Sequence, residues 1–140
     1  MKAILRAALI AGFALATLAS CTEVAKRQEA AEARDREQYL HYAGPPVERY
    51  STALVPNYQR WSLIGEGQVV VWTDYDHAYA LKVQLPCPEL QFADSLDVTA
   101  SNHTVTRGFD SVVVAHQLCR ITEIRAVDYA RMKQELHKGP

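Results

Sequence analysis

The sequence predicts a mainly β, α+β protein. Five to six short antiparallel strands form a sheet or a small, partly open barrel, with a helical spacer before them and a short helix after. Three observations carry this expectation. Residues 22–43 consist almost wholly of helix formers; hydropathy then alternates with period two beyond residue 56; and turn signals bearing Gly or Asp recur between the alternating runs.

The first 20 residues follow the plan of an export signal. Lys2 and Arg6 supply positive charge, residues 7–17 form an uncharged apolar run, and Leu18-Ala19-Ser20-Cys21 closes it. The run is too short for a spanning helix, which takes about 20 apolar residues. Cleavage as an ordinary signal peptide after Ala14-Leu15-Ala16 fits a small-x-small site, but it leaves a cysteine directly after Leu-Ala-Ser without a reason. The tetrapeptide resembles the lipobox of bacterial lipoproteins. That resemblance implies cleavage before Cys21 and acylation of its thiol. With Thr22 where an Asp implies inner-membrane retention, it also implies sorting to the outer membrane. Each buried lipid methylene contributes about 0.8 kcal/mol and a single chain holds only marginally, so two or more chains on Cys21 suffice as an anchor.

Residues 21–46 read as a lipid-anchored helical spacer. Its apolar stripe is thin (Val24, Ala31, Leu40), with no sustained heptad, and Gly44-Pro45-Pro46 stops the helix because proline cannot continue it. The β-rich domain is placed at 47–140. Tyr58 to Ile64 and Gln68 to Thr73 read as strands joined at Gly65-Glu66-Gly67. Val69-Val70-Val71-Trp72 is apolar on both faces, as a central strand requires. After a turn at Asp74-Tyr75-Asp76-His77, Tyr79, Leu81, Val83 and Leu85 alternate with Ala80, Lys82 and Gln84, and Cys87 shares the inward parity.

Leu96, Val98 and Ala100 form another short alternation, Ser101 to Gly108 reads as a polar loop, and Ser111 to Ala115 as a strand. In the last strand, from near Leu118, Cys119 and Ile121 are out of phase with Ile124 and Ala126. A bulge around Thr122-Glu123 restores the phase, since one extra residue shifts the alternation. Asp128 is placed to cap a final helix through Glu135 or Leu136, with Tyr129, Met132 and Leu136 on one face.

Without residues 1–20, 120 of the 140 residues remain, enough for one domain with a modest core. The 15 Lys and Arg fall to 13 without Lys2 and Arg6, against 16 Asp and Glu, so the remaining chain is mildly acidic and nucleic acid is not expected as a partner. Beyond the acylated Cys21 two cysteines remain, and in an oxidising envelope the pair Cys87 and Cys119 reads as a disulfide. The loop it closes holds about 33 residues, for which chain entropy gives roughly 3–4 kcal/mol.

Candidate chemistry is sparse. Asp74, Asp76 and His77 share one turn, but Asp is a turn residue in its own right and no second ligand cluster stands near in sequence. His103 and His116 sit in polar, loop-like contexts. Ser111, His116 and Asp110 carry the residue types of a hydrolase triad without a G-x-S-x-G elbow. Cys87 and Cys119 lack the C-x-x-C spacing of a redox centre. No catalytic, cofactor or metal residue is therefore assigned; the site residues are Cys21 for lipid attachment and Cys87 with Cys119 for the disulfide.

From Trp61 onward, the segments Trp61-Ser62-Leu63-Ile64-Gly65, Tyr79-Ala80-Leu81, Leu85-Pro86-Cys87-Pro88-Glu89-Leu90, Gly108-Phe109-Asp110 and Cys119-Arg120-Ile121-Thr122-Glu123-Ile124 occur in a recognisable order. In this the chain resembles an uncharacterised family of small proteobacterial lipoproteins, over about half its length and outside the helical spacer and proline step. The resemblance implies the fold and the compartment and supplies no activity. The expected role is a non-enzymatic structural or accessory lipoprotein at the outer membrane, facing the periplasm. No cofactor is expected; the expected partner is the membrane, through the lipidated Cys21, with an envelope protein as a candidate second partner. The alternative is a binding module that captures a small ligand, peptide or envelope enzyme through an aromatic groove of Tyr58, Trp61, Trp72, Tyr75 and Tyr79.

Overall fold

The structure, a computed structural model, describes residues 2–52 and 60–138. It falls into two compact units, Met1–Arg34 and Asp35–Pro140. Helix α1 (Lys2–His41) supplies the first unit and opens the second. Within the first unit residues 21–31 are exposed throughout, as a segment with so thin an apolar stripe demands. Among the described residues, no helix is long and apolar enough to cross a membrane.

The second unit is mostly β. Its strands are β1 (Ala43–Pro46), β2 (Arg49–Ser51), β3 (Trp61–Gly65), β4 (Gln68–Trp72), β5 (Ala78–Val83), β6 (Asp97–Val98), β7 (Thr104–Thr106), β8 (Ser111–Val114) and β9 (Gln117–Val127), followed by helix α2 (Tyr129–His137). Six of them form an antiparallel sheet in the order β3-β4-β5-β9-β8-β6, curled into a half-barrel. Strand β1 pairs with the far end of β9, Ala43 opposite Val127 and Pro46 opposite Arg125. The helix thus ends at His41, and the proline step expected only to stop it lies on a strand edge, where a missing N–H is tolerated.

Strand β4 explains the layering. Val69, Val70, Val71 and Trp72 are all buried, but the alternation sends them to two different cores. Val69 and Val71 join Leu81, Val83, Ile121 and Ile124 inside the half-barrel. Val70 and Trp72 join Ile64, Ala78, Ala80 and Val127 on the other face, under Tyr129 and Met132 of α2 and beside Tyr39 and Tyr42 at the end of α1. Small alanines at 78 and 80 on β5 leave room there for the large rings, in an interior that packs at close to crystal density.

Strand β9 crosses the half-barrel. Residues 117–120 pair with β8 and residues 121–127 with β5. Lys82 faces Glu123 while Val83 faces Ile121, so Thr122 has no opposite number, and its hydroxyl donates to the Lys82 carbonyl at 3.1 Å. This is the bulge expected at Thr122-Glu123. It brings Ile121 and Ile124, three apart, to the same buried side. Cys119 also points inward and is joined to Cys87, with Cα atoms 6.0 Å apart. The bridge ties the chain after β5, including a short 3-10 turn at Pro88–Phe92, to the start of β9.

Several local expectations need correction. Ser101 to Gly108 is not all loop: Thr104–Thr106 is β7, which pairs with β2 as a separate ribbon that buries Val105 and Tyr50. Three-residue strands bearing one apolar side chain each are too short to register as an alternation. Strand β5 ends at Val83, and Leu85 instead leans over the β3–β4 turn, where a Cβ on Gly67 (φ +66°) would come within 2.9 Å of it. Ala100 is exposed. Helix α2 is capped as expected, Asp128 Oδ1 accepting from Arg131 N at 3.0 Å, but Leu136 is exposed and only Tyr129 and Met132 are buried.

Candidate functional site

A groove of about 220 Å³ lies on the helix-covered face of the sheet. Register builds it. Gln68, Lys82 and Glu123 form one cross-strand row over β4, β5 and β9; Val70, Ala80 and Arg125 form the next. The first row and Arg125 are polar, whereas the row beyond, Trp72, Ala78 and Val127, is sealed by α2. The groove therefore opens where the apolar cover stops, with Ile64 at its base and Leu40 of α1 at its rim. Arg125 Nε donates to Glu123 Oε1 at 2.6 Å and Arg125 Nη1 to the Gly44 carbonyl at 3.3 Å. One turn before Leu40, the Arg36 guanidinium lies across Gly65: a Cβ there would meet Arg36 Nη1 at 2.9 Å.

Of the aromatic residues singled out from the sequence, the four described divide between the two faces of the sheet and the turn after β4. Trp72 is 6% exposed, with its ring edge-on to Tyr39 at 5.8 Å and to Tyr129 at 5.4 Å. Arg60 covers it, with its guanidinium 4.3 Å from the Trp72 ring centre, and donates to the Tyr129 hydroxyl. Tyr79 faces the other way and stacks on Tyr50 at 4.2 Å; burial pushes its hydroxyl pKa up. Trp61 packs half-buried on the half-barrel core, and Tyr58 lies outside the described residues. Tyr75 alone is open, 80% exposed, with the Lys133 ammonium 4.4 Å from its ring. Among the described residues, no aromatic side chain lines the groove.

The turn after β4 is held by its own side chains. Asp74 Oδ1 accepts from the backbone N–H groups of Asp76 and His77, each at 3.0 Å, and the His77 ring lies 2.8 Å away. The Asp76 N–H, and after it the His77 ring, hold the Asp74 carboxyl below the usual range. Asp76 is taken by Lys133 at 2.6 Å, a contact that pushes the Lys133 pKa up. At the end of α1, the Tyr42 hydroxyl donates to Glu135 of α2, raising the Tyr42 pKa and lowering that of Glu135. Among the described residues, no three His, Cys, Asp or Glu side chains gather as a metal site.

The Asp110 carboxylate, next to Ser111, bonds to Thr99 and Thr106, so it holds loops together where a triad would need it on a histidine. His103 and His116 are exposed in tight turns, each with positive φ. Cys21 is a free, exposed thiol, while Cys87 and Cys119 are buried in their disulfide. Sequence reasoning missed the groove because its polar lining is spread over β4, β5 and β9 and reads there as ordinary outward-facing residues.

An antiparallel half-barrel stapled by one disulfide, with a long N-terminal and a short C-terminal helix, defines a small, mostly β domain. The chain belongs to the family of unknown function DUF6491, which matches residues 1–138 and so takes in the helix and proline step as well as the sheet. No curated protein and no solved structure matches it.

Proposed function

We propose that the protein is a non-enzymatic structural or accessory lipoprotein of the cell envelope, held at the outer membrane by acyl chains on Cys21 and facing the periplasm. The division of labour among its three cysteines carries the reading. Cys21 follows Leu-Ala-Ser and stands free and exposed, as a thiol to be acylated must, while Cys87 and Cys119 are paired in the interior, as an oxidising compartment favours. The exposed, charged helix residues after Cys21 suit a tether in water. Burial of Trp72 and the lack of aromatic residues among the described lining of the groove support an accessory role over capture through an aromatic groove; the open ring of Tyr75 is what favours that second reading.

The test is Cys21→Ser. The parent protein partitions with membranes and the variant is released or stalls before maturation; unchanged membrane partitioning overturns the anchor. Crosslinking in intact cells then identifies the envelope partner.

A further inference from the structure

The lining of the groove on the sheet carries two cations, Lys82 and Arg125, against one carboxylate, Glu123, and Arg36 stands beside it over Gly65. Arg125 is paired with Glu123, but Lys82, in the same row as Glu123, and Arg36, at the β3 side, form no ion pair among the described residues. Glu66, in the turn beside Gly65, pairs with neither of them within 4.0 Å. Gly65 and Lys82 lie on strands separated only by β4, roughly 10 Å apart at two strand spacings, and Gln68 of β4 stands between them. Two long flexible cations thus flank an amide donor, one from the helix above and one from the sheet below.

We propose that this groove binds a phosphate group on a small ligand, with Lys82 and Gln68 of its lining as donors and Arg36 reaching in from beside it over Gly65. Cations approaching from different elements suit a group that offers oxygens in several directions and can carry more than one negative charge. A planar carboxylate is satisfied by one arginine. The volume suits a group of headgroup size, since it is below that of a drug-sized pocket. Arg125 and Glu123 fix the floor, and the exposed Leu40 at the rim contacts the carbon-bearing part of the ligand. The site goes beyond the anchored accessory role and holds whether or not Cys21 is acylated.

A phosphate group can come from a free solute or from a phospholipid headgroup. Calorimetric titration of the full chain in uncharged detergent at low salt tests both, with inorganic phosphate in one arm and dihexanoylphosphatidylglycerol below its micelle concentration in the other. Saturable binding is expected in at least one arm. Lys82→Gln and Arg36→Gln each weaken it about tenfold, as loss of a charge-assisted bond does, while Lys82→Arg retains it and the thermal midpoints of the free proteins stay together. Tighter binding of the lipid assigns the headgroup, tighter binding of phosphate assigns a solute, and either supports the site. No saturable binding in either arm, acetate binding as well as phosphate, or binding indifferent to both glutamine substitutions overturns it.

Discussion

The hydroxyl of Thr99 donates to Asp110 Oδ1 at 2.8 Å and accepts the Ser111 N–H at 2.9 Å, so one side chain bridges a carboxylate and the backbone next to it. The other carboxylate oxygen accepts the Thr106 N–H at 2.7 Å. Asp110 is 2% exposed, and through it the chain after β6, strand β7 and the start of β8 are tied together.

Removing either partner leaves buried polar groups without a mate. Asp110→Ala strands the Thr106 N–H and the Thr99 hydroxyl and is expected to cost about 2–4 kcal/mol. Thr99→Val keeps the shape, loses both hydroxyl bonds and leaves Asp110 with one partner, for roughly 1–3 kcal/mol. Urea unfolding measures both. The double variant is expected to cost less than the two singles added, because they act through one bond network. Strict additivity would refute the coupling.

This network shows where the sequence was legible and where it was not. The bulge at Thr122, the central strand 69–72 and the Cys87–Cys119 pair could be read because each leaves a mark: a broken alternation, an unbroken apolar run, two cysteines left once Cys21 is set aside. The β2–β7 ribbon, the Asp110–Thr99 tie and the groove depend on residues 11 to 85 positions apart, and no local period encodes such pairings. A buried aspartate, a threonine turned inward and a lysine at a groove look in sequence like surface polarity. The hairpin of β8 and β9 shows the same limit at short range: it turns through Ala115 (φ +45°) and His116 (φ +68°), where the two-residue turn usually takes Asn and Gly.

Stability is expected to fall in acid through two carboxylates. Asp74 and Glu135 both have lowered pKa values, Asp74 through the Asp76 N–H and the His77 ring, Glu135 through the Tyr42 hydroxyl and Arg131. A group whose folded pKa is depressed contributes stability that is fully present above its unfolded pKa, about 4, and is lost as pH falls through the folded value. Asp74→Ala combined with Glu135→Ala is therefore expected to lower the urea midpoint at pH 7. The gap to the parent should close as pH is taken from about 5 down to 3. Both groups are solvent-exposed, so salt should narrow the pH 7 gap as well. A gap constant across that pH range would show that neither carboxylate stabilises the fold through its charge.

The last turns of α1 belong to the sheet's own fold. Tyr39 sets its ring edge-on to Trp72, Tyr42 donates to Glu135, the Asp128 N–H donates to the Tyr42 carbonyl at 2.9 Å, and β1 pairs with β9. Tyr39→Ala removes one wall of the Trp72 site and is expected to cost roughly 2–3 kcal/mol, less than a fully buried aromatic because Tyr39 is only half-buried. Trp72→Phe should be milder than Trp72→Ala, since the indole Nε1 has no hydrogen-bond partner to lose. The sharper test compares two fragments. One that begins at Asp35 keeps Tyr39, Tyr42 and β1. One that begins at Val47 loses all three, which opens Trp72 and leaves the end of β9 unpaired on one side. The Val47 fragment is expected to unfold at lower urea with red-shifted tryptophan emission. Equal midpoints and equal emission would place the helix end and β1 outside the cooperative unit.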